Sequence, residues 1–107
     1  MRAWEIMSWQ PPGWPEAHPA VIISHPDRVA NKPEVNVLMC SSKSATRAAK
    51  GDEVILDQRD GLSWPTLCRC DLFFLVKKSE LKEPRSQVTA ERRRQIIARM
   101  NSANGWT

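Results

Sequence analysis

His18-Pro19-Ala20-Val21-Ile22-Ile23-Ser24 and, after a polar connection, Val35-Asn36-Val37-Leu38-Met39-Cys40-Ser41-Ser42 decide how this chain is read. Each is an apolar run of strand length with a polar group at one end, and antiparallel pairing of the two is expected. If Ser24 pairs near Val35, the start of the first run falls opposite the end of the second, and the register sets His18 beside Ser41. A histidine and a pair of serines then share one rim, which makes that rim a candidate site as well as the end of a core.

Outward from this pair, strand signals run to residue 76. Arg2 to Trp9 alternates, with Trp4 and Ile6 on one face and Ala3, Met7 and Trp9 on the other, until Gln10-Pro11-Pro12-Gly13-Trp14-Pro15-Glu16-Ala17 breaks it with a stiff loop. A second strand runs from Pro19 to Ser24, with the proline at the position where no ladder donor is required, and His25-Pro26-Asp27 ends it. The third strand covers 35 to 41. Ser42 to Asp52 is a basic loop of small residues whose composition suggests mobility. Glu53 to Asp57 forms a fourth strand and Gln58 to Gly61 a turn. Thr66 to Val76 is long enough for one bent strand or two, with the bend at Asp71. Beyond Lys77-Lys78, Ser79-Glu80-Leu81 reads as a short turn stopped by Pro84. Thr89 is the expected N-cap of a helix from Ala90 to about Ser102, with Glu91 in its first turn. Ile96, Ile97 and Met100 are expected to dock it on the sheet, and Gly105 is read as the end of the chain's order. These elements predict a mainly β fold: a small, strongly curved antiparallel sheet or partial barrel closed by a C-terminal helix.

At 107 residues the chain is expected to be a single domain over 1–107. The three cysteines, Cys40, Cys68 and Cys70, cannot all pair, and each lies in an apolar or strand-like run, which argues for reduced thiols in a cytosol. Cys68-Arg69-Cys70 has the wrong spacing for a zinc knuckle, so neither a metal nor another cofactor is expected. The start lacks the apolar stretch of a signal peptide, and no segment reaches membrane-spanning length, so no membrane partner is expected. The formal charge of +4 points mildly toward a polyanion. Arg92-Arg93-Arg94 is read as the solvated face of a helix. Arg28, Lys32, Lys43, Arg47 and Lys50 are more suggestive, because they fall in the two loops flanking the third strand.

Trp4-Glu5-Ile6, Gln10-Pro11-Pro12-Gly13, His18 to Ser24, Val37 to Ser42, Glu53 to Leu56, Asp60-Gly61-Leu62, Cys70-Asp71 before an apolar strand, and Ser79-Glu80-Leu81 before a final helix follow one another in an order that resembles the MazF/PemK toxins. The resemblance covers nearly the whole chain and rests on the ordered series, since no single piece is highly specific. It implies an SH3-like barrel of the CcdB/PemK type and a homodimer. It also implies a metal-independent endoribonuclease, neutralised by a cognate antitoxin whose segment occupies the RNA groove. Many members carry an arginine immediately before the proline that opens the second strand and a threonine at the end of the third. Here those positions hold His18 and Ser41. The histidine replaces a permanently charged bidentate phosphate clamp with a group that is mostly neutral at pH 7. Either His18 performs acid-base work while Arg28, Arg47 or Arg69 supplies charge, or the site is weakened.

Metal-free RNA cleavage needs a base for the 2'-hydroxyl proton, an acid for the leaving 5'-oxygen, and donors for charge developing on phosphorus. An imidazole suits either proton role. His18 and Ser41 are therefore the catalytic candidates, with Ser42, Lys43, Arg47, Arg28 and Arg69 as phosphate-binding candidates. Trp14, set among prolines, either stacks on an unpaired RNA base or packs on its own loop. Asp71 is read as bonding backbone amides at the strand bend, and Arg69 as facing solvent or a groove while Cys68 and Cys70 pack inside. Two other readings stand beside the toxin that cuts single-stranded RNA. One is a catalytically weak barrel that binds antitoxin or nucleic acid without cleavage; the other is a gyrase-directed toxin of the CcdB type.

Overall fold

The runs beginning at His18 and Val35 are antiparallel neighbours in the computed structural model, which describes residues 1–42 and 47–106. Ala20, Val21 and Ile22 of the first, and Val35, Val37 and Leu38 of the second, are fully buried. Such continuous burial needs cover on both faces of the strands. Val21 and Leu38 join a core with Ile6, Ile96 and Met100, whereas Ala20, Ile22, Val35 and Val37 face a second core with Met7, Trp9 and Leu81. The sheet that divides these cores consists of β1 (Glu5–Trp9), β2 (His18–Ile22), β3 (Glu34–Ser41), β4 (Glu53–Leu56), β5 (Thr66–Lys77) and β6 (Leu81–Gln87). Its order is β4-β5-β3-β2-β1-β6, antiparallel throughout, with β4 and β6 at open edges. Helix α1 (Pro26–Asn31) connects β2 to β3, and helix α2 (Ala90–Asn104) follows β6. No described helix is long and apolar enough to cross a membrane.

The faces of β1 are those its alternation predicts: Trp4 and Ile6 pack with one core, Ala3, Met7 and Trp9 with the other. β5 is one strand, bent where expected. Leu38 pairs with Phe73 but Cys40 with Cys68, so residues 69–72 are taken up in an irregularity that lets one strand serve β4 at one end and the start of β3 at the other. Cys40, Cys68 and Cys70 are buried and free.

Four expectations are corrected. The stretch after His25 is a helix, because His25 Nδ1 accepts from the Asp27 amide at 3.1 Å and Pro26 suits the first helical turn. Pro84 is not the stop of a short turn at Ser79-Glu80-Leu81. It sits in edge strand β6, at a register shift where Glu83 adopts φ +42°, and an edge tolerates the missing donor. Ile97 is exposed, since Ile96 and Met100, one turn apart, take the buried face of α2. Arg92 is not solvated: only 11% of its side chain is exposed, and its Nε donates to Asp60 Oδ2 at 3.1 Å.

Asp60 is completely buried. Its carboxylate also accepts from the Asp57 amide at 3.1 Å and the Thr89 amide at 3.4 Å, while Arg92 Nη2 lies 3.2 Å from Asp57 Oδ2. The short 3-10 turn Gln58–Asp60 and the first turn of α2 are thereby clamped together, and Thr89 caps the helix through the Arg92 amide at 3.2 Å. Gly61 closes the turn at φ +78°, against Ser86, where a Cβ has no room. Arg92→Met leaves the Asp60 charge buried and uncompensated and should cost about 3–5 kcal/mol. The expected result is a lower urea midpoint at unchanged slope, while Arg94→Met, on an exposed position, changes stability by less than about 0.5 kcal/mol.

Candidate active site

The pairing Ala20 with Met39, carried on by two residues, sets His18, the first residue of β2, opposite Ser41, the last of β3. Both line one groove of about 490 Å³, with Trp14, Arg47, Lys50, Asp52, Glu53 and Arg69 among the other walls. His18 is half-buried and pairs on its other side with Trp9 of β1, so its backbone is held by the ladder. Trp14 comes from the proline-rich loop. That loop turns back through the Trp14 amide, which donates to the Pro11 carbonyl at 3.0 Å, with Gly13 at φ +83° and Gln10 Nε2 donating to the Trp14 carbonyl at 2.8 Å. The indole meets the His18 imidazole edge to face, with ring centres 5.3 Å apart at 85°.

Carboxylates engage both groove arginines. Arg47 Nη1 and Nη2 donate to Glu53 Oε1 and Oε2, each at 2.7 Å, and the Lys50 amide donates to Oε1 at 2.9 Å. Glu53 is only 6% exposed. Its carboxyl is held down at about 2, chiefly by the hydrogen bonds from Arg47, against the upward push of burial. Arg69 Nε and Nη2 donate to Asp71 Oδ1 and Oδ2 at 3.2 and 2.9 Å. This fork holds Asp71 below the usual carboxylate range and raises Arg69. Asp71 thus lies at the bend as expected, but its main partner is a guanidinium. Arg69 is exposed between buried Cys68 and Cys70, as its alternation predicts. The Cys68 and Cys70 thiols are pushed well up, Cys68 first by its bond to Cys40 and Cys70 first by its bond to Cys68, so both remain protonated at neutral pH.

Of the residues singled out from sequence, His18, Ser41, Arg47, Arg69 and Trp14 come together. Arg28 does not. It lies in α1, with Nε donating to the Glu34 carbonyl at 3.1 Å, at the opposite end of β3 from Ser41. Ser42 lines a separate hollow of about 310 Å³ with Trp64, Thr66 and Arg85. Lys43 lies outside the described residues.

The same architecture occurs in solved structures. An endoribonuclease in complex with its cognate antitoxin, from a mycobacterial species, superposes over 100% of this chain and 97% of its own, with TM-score 0.84 and 19% identity. The Mycobacterium tuberculosis toxin MazF-mt6 matches over 94% of this chain and 95% of its own, at TM-score 0.77 and 17% identity. The chain has the MazF fold. A MazE-MazF structure from Deinococcus radiodurans covers 98% of this chain and 95% of its own, at TM-score 0.76 and 14% identity. No protein-family model and no curated protein sequence matches the chain.

Within this MazF fold, Asp52 and Glu53 are charged groove residues that the sequence did not single out, and Lys50, one of the cations flanking β3, lines the groove with them. Their signal was present as a run of charges ahead of an apolar strand, with Glu53 six residues after Arg47. Glu53 ionises more readily in the folded chain than in the unfolded one. Its contribution is therefore complete above the ordinary carboxylate pKa and is lost as pH falls through about 2. Glu53→Gln should cost about 2 kcal/mol near neutral pH, reduced to the extent that half-exposed Arg47 is screened by solvent. Denaturation midpoints of the wild type and the variant should converge as the pH is lowered toward about 2.

Proposed function

We propose that this chain is the toxin of a toxin-antitoxin pair and cuts single-stranded RNA by metal-independent transesterification. The observation that supports this most directly is the placement of His18 and Ser41 on one groove of a MazF fold. In this reading the 2'-hydroxyl oxygen attacks the adjacent phosphorus and the bond from phosphorus to the 5'-oxygen breaks. His18 takes the 2'-hydroxyl proton as base and returns it as acid to the departing 5'-oxygen, so the proton balance closes on one imidazole and the product ends are a 2',3'-cyclic phosphate and a 5'-hydroxyl. The Ser41 hydroxyl and the Nη1 group of Arg69, which its fork to Asp71 leaves unused, would serve as donors for the non-bridging oxygens. Trp14, 46% exposed above His18, supplies a stacking face for an unpaired base. A cognate antitoxin would bind this groove in place of RNA, and the toxin would act as a homodimer.

One observation favours a second reading, a barrel of the same fold that binds antitoxin or nucleic acid without cutting it. Glu53 and Asp71 already occupy the forks of the arginines beside His18. The experiment that separates the two is incubation of the purified protein with a long RNA in EDTA, followed by mapping of the new ends. Cyclic-phosphate termini are expected, and His18→Ala should lower the cleavage rate by about 10²-fold or more. Intact RNA at high protein excess would overturn cleavage in favour of the second reading. Trp14→Ala should weaken binding of a single-stranded oligonucleotide by about 1–3 kcal/mol, read as the shift in Kd.

A further inference from the structure

We propose that Lys50 supplies the unpaired positive charge with which the described part of the groove meets an RNA phosphate, and that the arginines beside it act as anchor and donor with their charge already cancelled. This rests on the reading of the groove as an RNA site. Arg47 and Arg69 each face a carboxylate through a two-pronged fork, to Glu53 and Asp71 respectively. Asp52 lines the same groove, and its field falls on both guanidiniums. Two guanidinium charges therefore meet three carboxylates, and Lys50 brings the set to neutrality. Without Lys50 the described part of the groove is net negative and repels a phosphate backbone.

The geometry of Lys50 suits that task. Its amide donates to Glu53 Oε1 at 2.9 Å, which pins its backbone at the groove wall, while its ammonium has no hydrogen-bond or ion-pair partner among the described residues. A point charge with freely rotating donors on a flexible stem can follow a single-stranded backbone, where a fork locked onto a buried carboxylate cannot. Arg47, by contrast, ties the segment leading into β4 to that strand through Glu53.

The test is the salt dependence of binding of a fluorescent, uncleavable 2'-O-methyl RNA oligonucleotide. Lys50→Gln should flatten the slope of log K against log salt by about 0.7, the contribution of one phosphate contact on a single strand. Lys50→Arg should restore it, and the charge-neutral double variant Arg47→Gln/Glu53→Gln should keep the wild-type slope. An unchanged slope in Lys50→Gln, or a flattened one in the double variant, overturns this inference alone. A wild-type protein that fails to bind the oligonucleotide at any salt concentration overturns the RNA reading and this inference with it.

Discussion

The pairing of β2 with β3 governs the rest of the molecule, because both strands are covered on both faces and their register has no freedom. A slip of β2 by one residue against β3 would carry Val21 out of the core beneath α2 and drive Ala20 and Ile22 toward it. Such an exchange mismatches side-chain volumes on both sides of the sheet at once. The same register aligns the polar ends of the two strands, so His18 and Ser41 meet as a consequence of packing well inside the sheet. The candidate chemistry is inherited from the core.

Two buried carboxylates show how the fold uses its arginines. Asp60 binds Arg92 and seats α2, while Glu53 binds Arg47 and secures the loop end that borders the groove. Each is a charge that burial would penalise unless a guanidinium met it with aligned hydrogen bonds. The consequence is that the formal charge of +4 is a poor guide to the groove. Cations that look available for phosphate when counted along the chain are consumed by acids that sit beside them only after folding. Net charge acts on long-range attraction, whereas local pairing decides which cation a phosphate can meet.

Several elements were legible from residues alone because their signals are local. The alternation of β1 assigns its two faces, Thr89 caps α2, and Asp71 marks the bend of β5. Helix α1 is too short for an apolar period, and its signal was only His25 ahead of Pro26. Strand β6 carries Lys82, Glu83, Pro84 and Arg85, which no strand pattern contains. It forms because β1 offers an open edge, and an edge strand needs neither two apolar faces nor every donor. Ile97 adjoins Ile96 in sequence yet stands outside, since one step along a helix turns a side chain well off the buried stripe.

The sequence by itself determined the strand periods, the helix caps and the opposition of His18 and Ser41, because apolar alternation and capping act between residues close along the chain or in a short, register-locked pair. The tertiary structure alone decided which charges remain free. It withdrew Arg28 to the far end of β3, turned Ser42 to another hollow, buried Arg92 on Asp60 and set Glu53 on Arg47. The physical reason is that burial and ion pairing depend on which elements approach one another in space. Period-two alternation can say which face a charge takes, but not which acid awaits it there.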